Sequence, residues 1–488
     1  MKRLEDILKG IKAVKLIGDA TREINELRFD SRSVSKGDVF FAIRGTQSDG
    51  HRFIAQVVEQ GAAAVVCEEF PLEQSSDVTW CLVESSAKAL AVAAHNYFGK
   101  PSTKLKLVGI TGTNGKTTVA TLLYQLFNEL QGPAGLLSTV DVRVGDEVIS
   151  STHTTPDPVT INSTLSRMVD RGCGYAFMEV SSHAVVQDRT YALEFAGGVF
   201  TNITHDHLDY HGSFDEYIAA KKLFFDLLPA TAFALINADD KRGSVMLQNT
   251  KAHKHTFSMR GVGDFNAKVL ENTFSGLLLK IGNNELNTLL VGRFNASNLL
   301  CAYGTAMLLG ISEEDALRVL SRLAGAEGRF ERIISPMERI IGIVDYAHTP
   351  DALKNVLQTI REIRKGSGQV ITVVGCGGDR DKSKRPVMGQ VACQLSEKVI
   401  FTSDNPRSEV PEQIISEMKA DLQPHLTKKM MAITDRQQAI RTAVQLAGRG
   451  DIVLVAGKGH EKYQEIKGKR LPFDDKKVLA ESFSETGK

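Results

Sequence analysis

The sequence is poor in cysteine and nearly without tryptophan: 488 residues carry six of the first and one of the second. Cys67, Cys81, Cys173, Cys301, Cys376 and Cys393 are scattered with no Cys-x-x-Cys spacing. That excludes a zinc site built on cysteine pairs and argues against a disulfide framework, leaving reduced, mostly buried thiols. Charge of one sign is also missing, since 59 Lys plus Arg face 58 Asp plus Glu. No overall field therefore selects nucleic acid or an anionic membrane. No apolar run is long enough to cross a bilayer. Met1-Lys2-Arg3 opens like an export signal, but Glu5 and Asp6 follow and no apolar core comes next. A cytoplasmic location is expected. No short-period repeat and no low-complexity tract interrupts the chain. What is left is an ordinary globular composition, 42% hydrophobic and 24% charged, with length for about two to four domains.

The stretch that organises the rest runs from Gly109 to Thr118, Gly-Ile-Thr-Gly-Thr-Asn-Gly-Lys-Thr-Thr. Before it, Leu105, Leu107 and Val108 read as a short buried strand. After it, Val119, Leu122, Leu123, Leu126 and Phe127 repeat with helical spacing. A strand, a glycine-rich turn and a helix start together cradle a phosphate, because the first N–H groups of a helix have no partners within it. Gly112, Thr113, Asn114, Gly115, Lys116, Thr117 and Thr118 are the candidate nucleotide contacts. Lys116 supplies a cation and Thr117 a hydroxyl for Mg²⁺. The full P-loop pattern asks for glycine where Ile110 stands.

Strands and helices alternate, which predicts an α/β chain of three domains with parallel sheets. Residues 1–103 form the first, with strands at 38–43 and 62–66, helices at 53–60 and 87–97, and polar loops at 30–32 and 45–50. Pro101-Ser102 reads as a linker. Residues 104–331 form the second, a P-loop parallel sheet, with further strands at 175–180, 198–203 and 233–236. Its helices fall at 160–169 and 214–228, and a closing pair at 295–309 and 313–323. Residues 332–488 form the third, a Rossmann-like doubly wound sheet with strands at 340–346, 370–374, 398–401 and 452–455. Its helices are expected at 350–364, 411–422 and 436–446. Its polar loops 375–384, 403–409 and 457–461 follow strands, at the ends where such sheets bind ligands.

Several constellations carry chemistry. Glu179 closes an apolar strand, where a carboxylate beside a phosphate loop can hold Mg²⁺ or simply meet solvent. Thr204 to His211 packs three histidines and two aspartates into eight residues. It reads as a polar turn or as an oxygen- and imidazole-lined second cation site. Lys221 and Lys222 are adjacent on a helix, and by residue chemistry alone form a solvated face. Asn295 and Asn298 open a helix, as caps or as contacts to a base or phosphate. Arg329 can bring a cation to a domain junction, and Asp345 can hold a ribose hydroxyl or a water. In the third domain two arginines, Arg380 and Arg407, can fork onto a carboxylate, while Asp404 and Glu461 can hold an ammonium. Together these suit a zwitterionic amino acid, and singly each is a salt-bridged surface loop.

Gly-Thr-Asn-Gly-Lys-Thr-Thr (112–118), Glu-Val-Ser-Ser-His (179–183), Asp-His-Leu-Asp-Tyr-His-Gly (206–212), Ala-Lys-x-x-Phe-Phe (220–225) and Asp-Asn-Pro-Arg (404–407) occur in this order. In these motifs, and over nearly its whole length, the chain resembles the Mur ligases, and among them those that add 2,6-diaminopimelate. The resemblance implies ATP-dependent amide formation in peptidoglycan precursor synthesis, with ATP and Mg²⁺. The γ-phosphoryl goes to the D-Glu side chain of UDP-MurNAc-L-Ala-D-Glu, and an amino group of meso-diaminopimelate attacks the acyl phosphate. It implies a UDP-MurNAc-binding first domain, an ATP-binding second and an amino-acid-binding third, in a monomer without nucleic-acid partner or membrane span.

By the same resemblance Lys116, Lys221 and His207 are catalytic, with Lys221 carbamylated. Thr117, Glu179, His207 and the Lys221 carbamate surround the metal, and Asn298, Arg329 and Asp345 meet ATP. Ser31, Thr46, Gln47, Ser48, Thr154, Thr155, Ser181, Gln187 and Arg189 match contacts to the UDP-sugar dipeptide. Arg380, Asp404, Asn405, Pro406, Arg407, Gly457 and Glu461 match the diaminopimelate site. Arg407 discriminates, since it can pair with the carboxylate that lysine lacks. His153 stands where some relatives have asparagine. The alternatives are the same ligation with L-lysine, or a ligase of the folylpolyglutamate synthase type.

Overall fold

The computed structural model describes residues 2–488 except Thr46, Gln47, Thr152, His207 and Lys365. The first unit is a five-stranded sheet in the order Ala13–Ile17, Thr79–Val83, Ala64–Cys67, Val39–Phe41, Leu27–Arg28. All neighbours are parallel except the first pair. Helix Ser86–Tyr97 starts where the Ser85 hydroxyl accepts from Lys88 N, and lays Ala89, Leu90, Ala93 and Ala94 on the sheet. Ala13–Ile17 escapes sequence reading because it is an edge strand exposed along most of its length.

Pro101-Ser102 is not a free linker. It forms a buried 3₁₀ turn whose Ser102 hydroxyl bonds His95 Nε2 and accepts from Glu194 N, each at 3.0 Å. One hydroxyl serves polar groups from two different elements, so the junction is packed.

The second unit carries the expected parallel sheet at the centre of a larger one, for its sheet has eleven strands with antiparallel arms added at both ends. The centre is parallel, in the order Ala134–Leu137, Tyr175–Glu179, Lys106–Thr111, Gly197–Phe200, Phe233–Asn237, His253–Ser258. Antiparallel arms extend both ends: Asp141–Val144 with Glu147–Ser150, and Phe265–Thr273 with Gly276–Ile281 and Asn284–Thr288. The arms mix polar and apolar residues because one face meets water. The central strands are apolar throughout because helices cover both faces. Helices Lys116–Leu130 and Arg293–Leu308 share a core with Val108 and Ile110, while Pro158–Asp170 and Phe214–Asp226 pack with Leu107 on the opposite face.

The third unit is a six-stranded sheet in the order Glu331–Ile334, Ile341–Asp345, Ile452–Ala456, Val370–Val374, Lys398–Phe401, Met430–Ala432. Only its first pair is antiparallel. Pro350–Ile363, Lys384–Leu395 and Pro411–Lys419 cover one face; Arg436–Leu446 and Asp475–Thr486 cover the other. Lys384–Leu395 and Asp475–Thr486 hide from sequence reading because charges at their starts point inward. Arg385 is fully buried against Glu409 and Glu417, and Arg436 against Asp475.

The Arg436–Asp475 pair is bidentate, with Nε to Oδ1 at 2.8 Å and Nη2 to Oδ2 at 2.7 Å, both side chains wholly buried. Asp475→Ala strands the guanidinium in the core and is expected to cost about 3–5 kcal/mol. A urea unfolding midpoint close to that of the parent would overturn this. All six cysteines are free and buried. Among the described residues no helix is long and apolar enough to cross a membrane.

Candidate active site

The carboxyl ends of the central strands gather the site. Lys106–Thr111 runs into the phosphate loop, and Gly112 and Gly115 there take positive φ, 148° and 88°. A Cβ on Gly112 would sit 2.0 Å from Thr201 Oγ1, and one on Gly115 2.4 Å from Asn298 Oδ1, so both positions require glycine. Ile110, where the longer motif has glycine, is buried within the strand, and the loop begins at Gly112.

The neighbouring strand end sets the loop. Asn114 N donates to Asn202 Oδ1 (2.9 Å), and Thr201 Oγ1 and Asn202 Nδ2 donate to Asn114 O (2.6 and 3.0 Å). Thr201 and Asn202 reach the loop only through the strand pairing, which no local sequence pattern reveals.

Lys116 Nζ folds onto the loop, donating to Gly112 O at 2.9 Å and Thr113 O at 2.8 Å. Burial holds its pKa below the usual lysine value, with Glu179 and Asp206 opposing. The Thr117 hydroxyl donates to Glu179 Oε1 at 2.9 Å and accepts from Arg329 Nη2 at 3.1 Å. Glu179 is fully buried, and Oε1 also accepts from Thr139 N at 2.7 Å, another contact the sequence hides. A hydroxyl and a carboxylate in contact at a phosphate loop form an all-oxygen pair that fits a hard cation such as Mg²⁺, with phosphates supplying further ligands. Among the described residues no group of three His, Cys, Asp or Glu gathers as a metal cluster.

Lys221 is not on a solvated face. It is 1% exposed, with Nζ 2.9 Å from Gly112 O and 4.7 Å from the Tyr217 ring. Burial drives its pKa well below the usual value, and Lys116 pushes the same way against Asp206. Lys222 turns outward to Asp226 at 2.6 Å. His207 lies outside the described residues. Its neighbour His211 bonds Ser182 Oγ through Nε2 at 2.9 Å.

Asn295 and Asn298 do not cap their helix, which Gly292 precedes. Asn295 Nδ2 donates to Val291 O, and Asn298 Nδ2 to Asn295 Oδ1, which sets Asn298 against Gly115. Arg329 crosses to Thr117 and lies over the Tyr346 ring at 4.5 Å. Asp345 accepts from Phe330 N at 2.7 Å; burial raises its pKa to about 6, with Arg329 opposing. A second bridge between domains runs from Asn114 Nδ2 to Asp351 Oδ2 at 3.1 Å.

In the third domain Asp404 and Asn405 are buried, and Arg380 stands exposed at the rim. Glu461 is already committed in part. Its Oε2 accepts from Asn405 Nδ2 at 2.7 Å and from Lys458 Nζ at 2.9 Å, and Lys458 also reaches Asn405 Oδ1 at 2.9 Å. Lys458, which no local sequence pattern marks, is wholly buried and supplies the cation that balances Glu461. Arg407 Nη1 donates to Gly378 O at 2.7 Å.

A cavity of about 440 Å³ joins these parts, lined by residues 113–118, Glu179, Arg329 and Asp345, and across from them by Arg380, Asp404, Asn405, Arg407, Gly457 and Glu461. Thr154, Thr155, Ser181 and Arg189 line it from a third side. Pro406, between Asn405 and Arg407, is buried and does not line it. Beside it a cavity of about 710 Å³ runs past Asn298 and Arg329 to Phe294 and Met259. Another of about 990 Å³ brings Ser31 and Ser48 opposite Gln187, Arg189 and His153. Thr46 and Gln47 lie outside the described residues.

Three family models match the chain: the Mur ligase family catalytic domain over residues 23–98, the Mur ligase middle domain over 110–306, and the Mur ligase glutamate ligase domain over 328–459. A Phocaeicola vulgatus protein named UDP-N-acetylmuramoyl-L-alanyl-D-glutamate–2,6-diaminopimelate ligase is 54% identical over 482 residues, 99% of each chain. A Cytophaga hutchinsonii protein of the same name is 53% identical over 487 residues, 100% of each chain. A solved structure of a ligase of that name superposes with a TM-score of 0.69 at 30% identity, covering 100% of both chains.

Proposed function

The chain belongs to the Mur ligase family, and from that premise we propose that it joins meso-2,6-diaminopimelate to UDP-MurNAc-L-Ala-D-Glu. It is an ATP-dependent amide-forming ligase of peptidoglycan precursor synthesis. The observation that carries the substrate reading is the shared cavity, in which a phosphate loop faces a pair of arginines and a pair of carboxylates.

A carboxylate is a poor electrophile at neutral pH, so the acid is activated first. Its oxygen bonds the γ-phosphorus while the bond to ADP breaks. The neutral amine nitrogen then bonds the carbonyl carbon, inorganic phosphate leaves with the C–O electron pair, and the nitrogen gives up one proton, which the released phosphate can carry. The loop N–H groups and Lys116 hold the phosphates, and Arg329 approaches the same place from the domain junction. Asp404 and the free oxygen of Glu461 hold an ammonium, and Arg380 and Arg407 the distal carboxylate. Positioning and charge balance are the protein's main contributions.

Thr117 and Glu179 would hold Mg²⁺, joined by His207 and the Lys221 carbamate. The ion neutralises crowded phosphate charge when bound. Ser31, Thr46, Gln47, Ser48, Thr154, Thr155, Ser181, Gln187 and Arg189 are proposed to hold the UDP-sugar dipeptide. A cytoplasmic monomer is proposed too.

Phosphate release from ATP is expected only with both the UDP-dipeptide and an amino acid present. Diaminopimelate should outperform L-lysine by at least about 100-fold in kcat/KM, since a hydrogen bond to a charged group contributes about 1.5–3 kcal/mol and about 1.4 kcal/mol is tenfold. Equal use of lysine would reject the substrate, and release without the dipeptide would reject the ligase mechanism.

A further inference from the structure

We propose that the hairpin Tyr463–Pro472 is a specificity clamp for the amino-acid substrate, with Gln464 as its positioning residue. The proposal rests on the reading of Arg407 as partner of the substrate's distal carboxylate. Arg407 has φ of 50°, in the left-handed region that a side chain with a Cβ adopts at a cost. Such a conformation persists only where the surroundings impose it.

The hairpin imposes it from both sides. Arg407 N donates to Glu465 O at 3.0 Å, and Lys467 N donates to Arg407 O at 2.7 Å. The same strand holds the rest of the loop: Gln464 Nε2 donates to Asp404 O at 2.7 Å, and Glu465 N to Asn405 Oδ1 at 2.9 Å. With the backbone fixed, the guanidinium is set by Gly378 O at Nη1 and by the Glu465 carboxylate 3.6 Å from Nε. Gln464 is absent from the cavity wall, so it acts through the loop and not on the substrate.

The hairpin contributes little core of its own. Its first strand is half-buried and its second exposed. Lys467 and Gly468, with φ of 48° and 75°, close it as a two-residue turn between paired Ile466 and Lys469. A pair of strands this short is marginal alone. Its contacts concentrate on Asp404, Asn405 and Arg407, the last of which would tell a diacid from lysine.

The test compares Gln464→Leu and Gly468→Val with the parent in the full chain. It reads KM for diaminopimelate and ATP, and the ratio of kcat/KM for diaminopimelate to that for L-lysine. Gln464→Leu removes one anchor, and Gly468→Val disturbs the turn from outside the loop. Each should raise the diaminopimelate KM about tenfold and lower the ratio, with the ATP KM changed by less than about twofold. On an Arg407→Ala background Gln464→Leu should add far less than it does alone, because part of its effect runs through Arg407. An unchanged diaminopimelate KM, a parallel rise in both KM values, or full multiplication with Arg407→Ala overturns the clamp. If Arg407→Ala itself leaves the diaminopimelate KM unchanged, the reading of Arg407 fails and the clamp falls with it. If Arg407→Ala raises that KM and both hairpin variants do not, only the clamp is lost.

Discussion

Lys221→Ala is expected to lower ligase turnover by about 10²–10³-fold, the usual size of losing one preorganised electrostatic group from a reacting centre. Acetate or a similar short carboxylate should restore part of the rate. The lysine is wholly buried beside Lys116, and both amines reach the Gly112 carbonyl. Two ammonium groups sharing one acceptor in a dry site repel, and burial alone already disfavours the charged form of Lys221. A neutral amine is the nucleophilic form. Its lone pair can bond the carbon of CO₂ with loss of a proton, giving a carbamate that carries one negative charge. That change would turn a repelling neighbour of Lys116 into an attracting one and add oxygen donors beside the phosphate loop. A cavity left by alanine can admit a free carboxylate, so rescue by acetate reports the carbamate specifically. Undiminished turnover of Lys221→Ala, or a loss that no carboxylate relieves, would count against it.

What the sequence revealed and what it concealed divide along a physical line. The phosphate loop was legible because strand, glycine turn and helix start are consecutive, and each leaves a local pattern. The ends of Tyr175–Glu179 and Ile341–Asp345 were legible too, since an apolar run closing on a carboxylate is visible without knowing its neighbours. Lys221 was not, because nothing local distinguishes it from Lys222. Only the packing of Phe214–Asp226 sends one amine inward and the other to Asp226. Thr139, Thr201, Asn202 and Lys458 escaped for a related reason. Thr139, Thr201 and Asn202 serve groups distant in the chain, as Asn202 serves Asn114 across the sheet, and Lys458 joins its near neighbour Glu461 to the distant Asn405. The third domain hid two helices behind Arg385 and Asp475, whose charges are satisfied internally and so mimic surface residues in composition.

Arg407→Ala is expected to raise the KM for diaminopimelate about 100-fold and to leave the ATP KM nearly unchanged. Arg407 is the one of the two arginines that is held. Its backbone is fixed at positive φ and its Nη1 at Gly378 O, whereas Arg380 is exposed at the rim. A preorganised guanidinium loses little freedom on meeting a carboxylate, so more of the pairing energy appears as affinity. A hydrogen bond to a charged group contributes about 1.5–3 kcal/mol, and about 1.4 kcal/mol is a tenfold change. Loss of a forked pair therefore reaches about two decades. L-lysine carries no second carboxylate and has little to lose. Its KM should move only slightly, and the preference between the two amino acids should collapse toward unity. The collapse separates recognition from damage: a variant that merely loosened the third domain would weaken both amino acids alike. Equal increases in the two KM values would therefore assign Arg407 to the scaffold and leave the choice of amino acid to Asp404, Asn405 and Glu461.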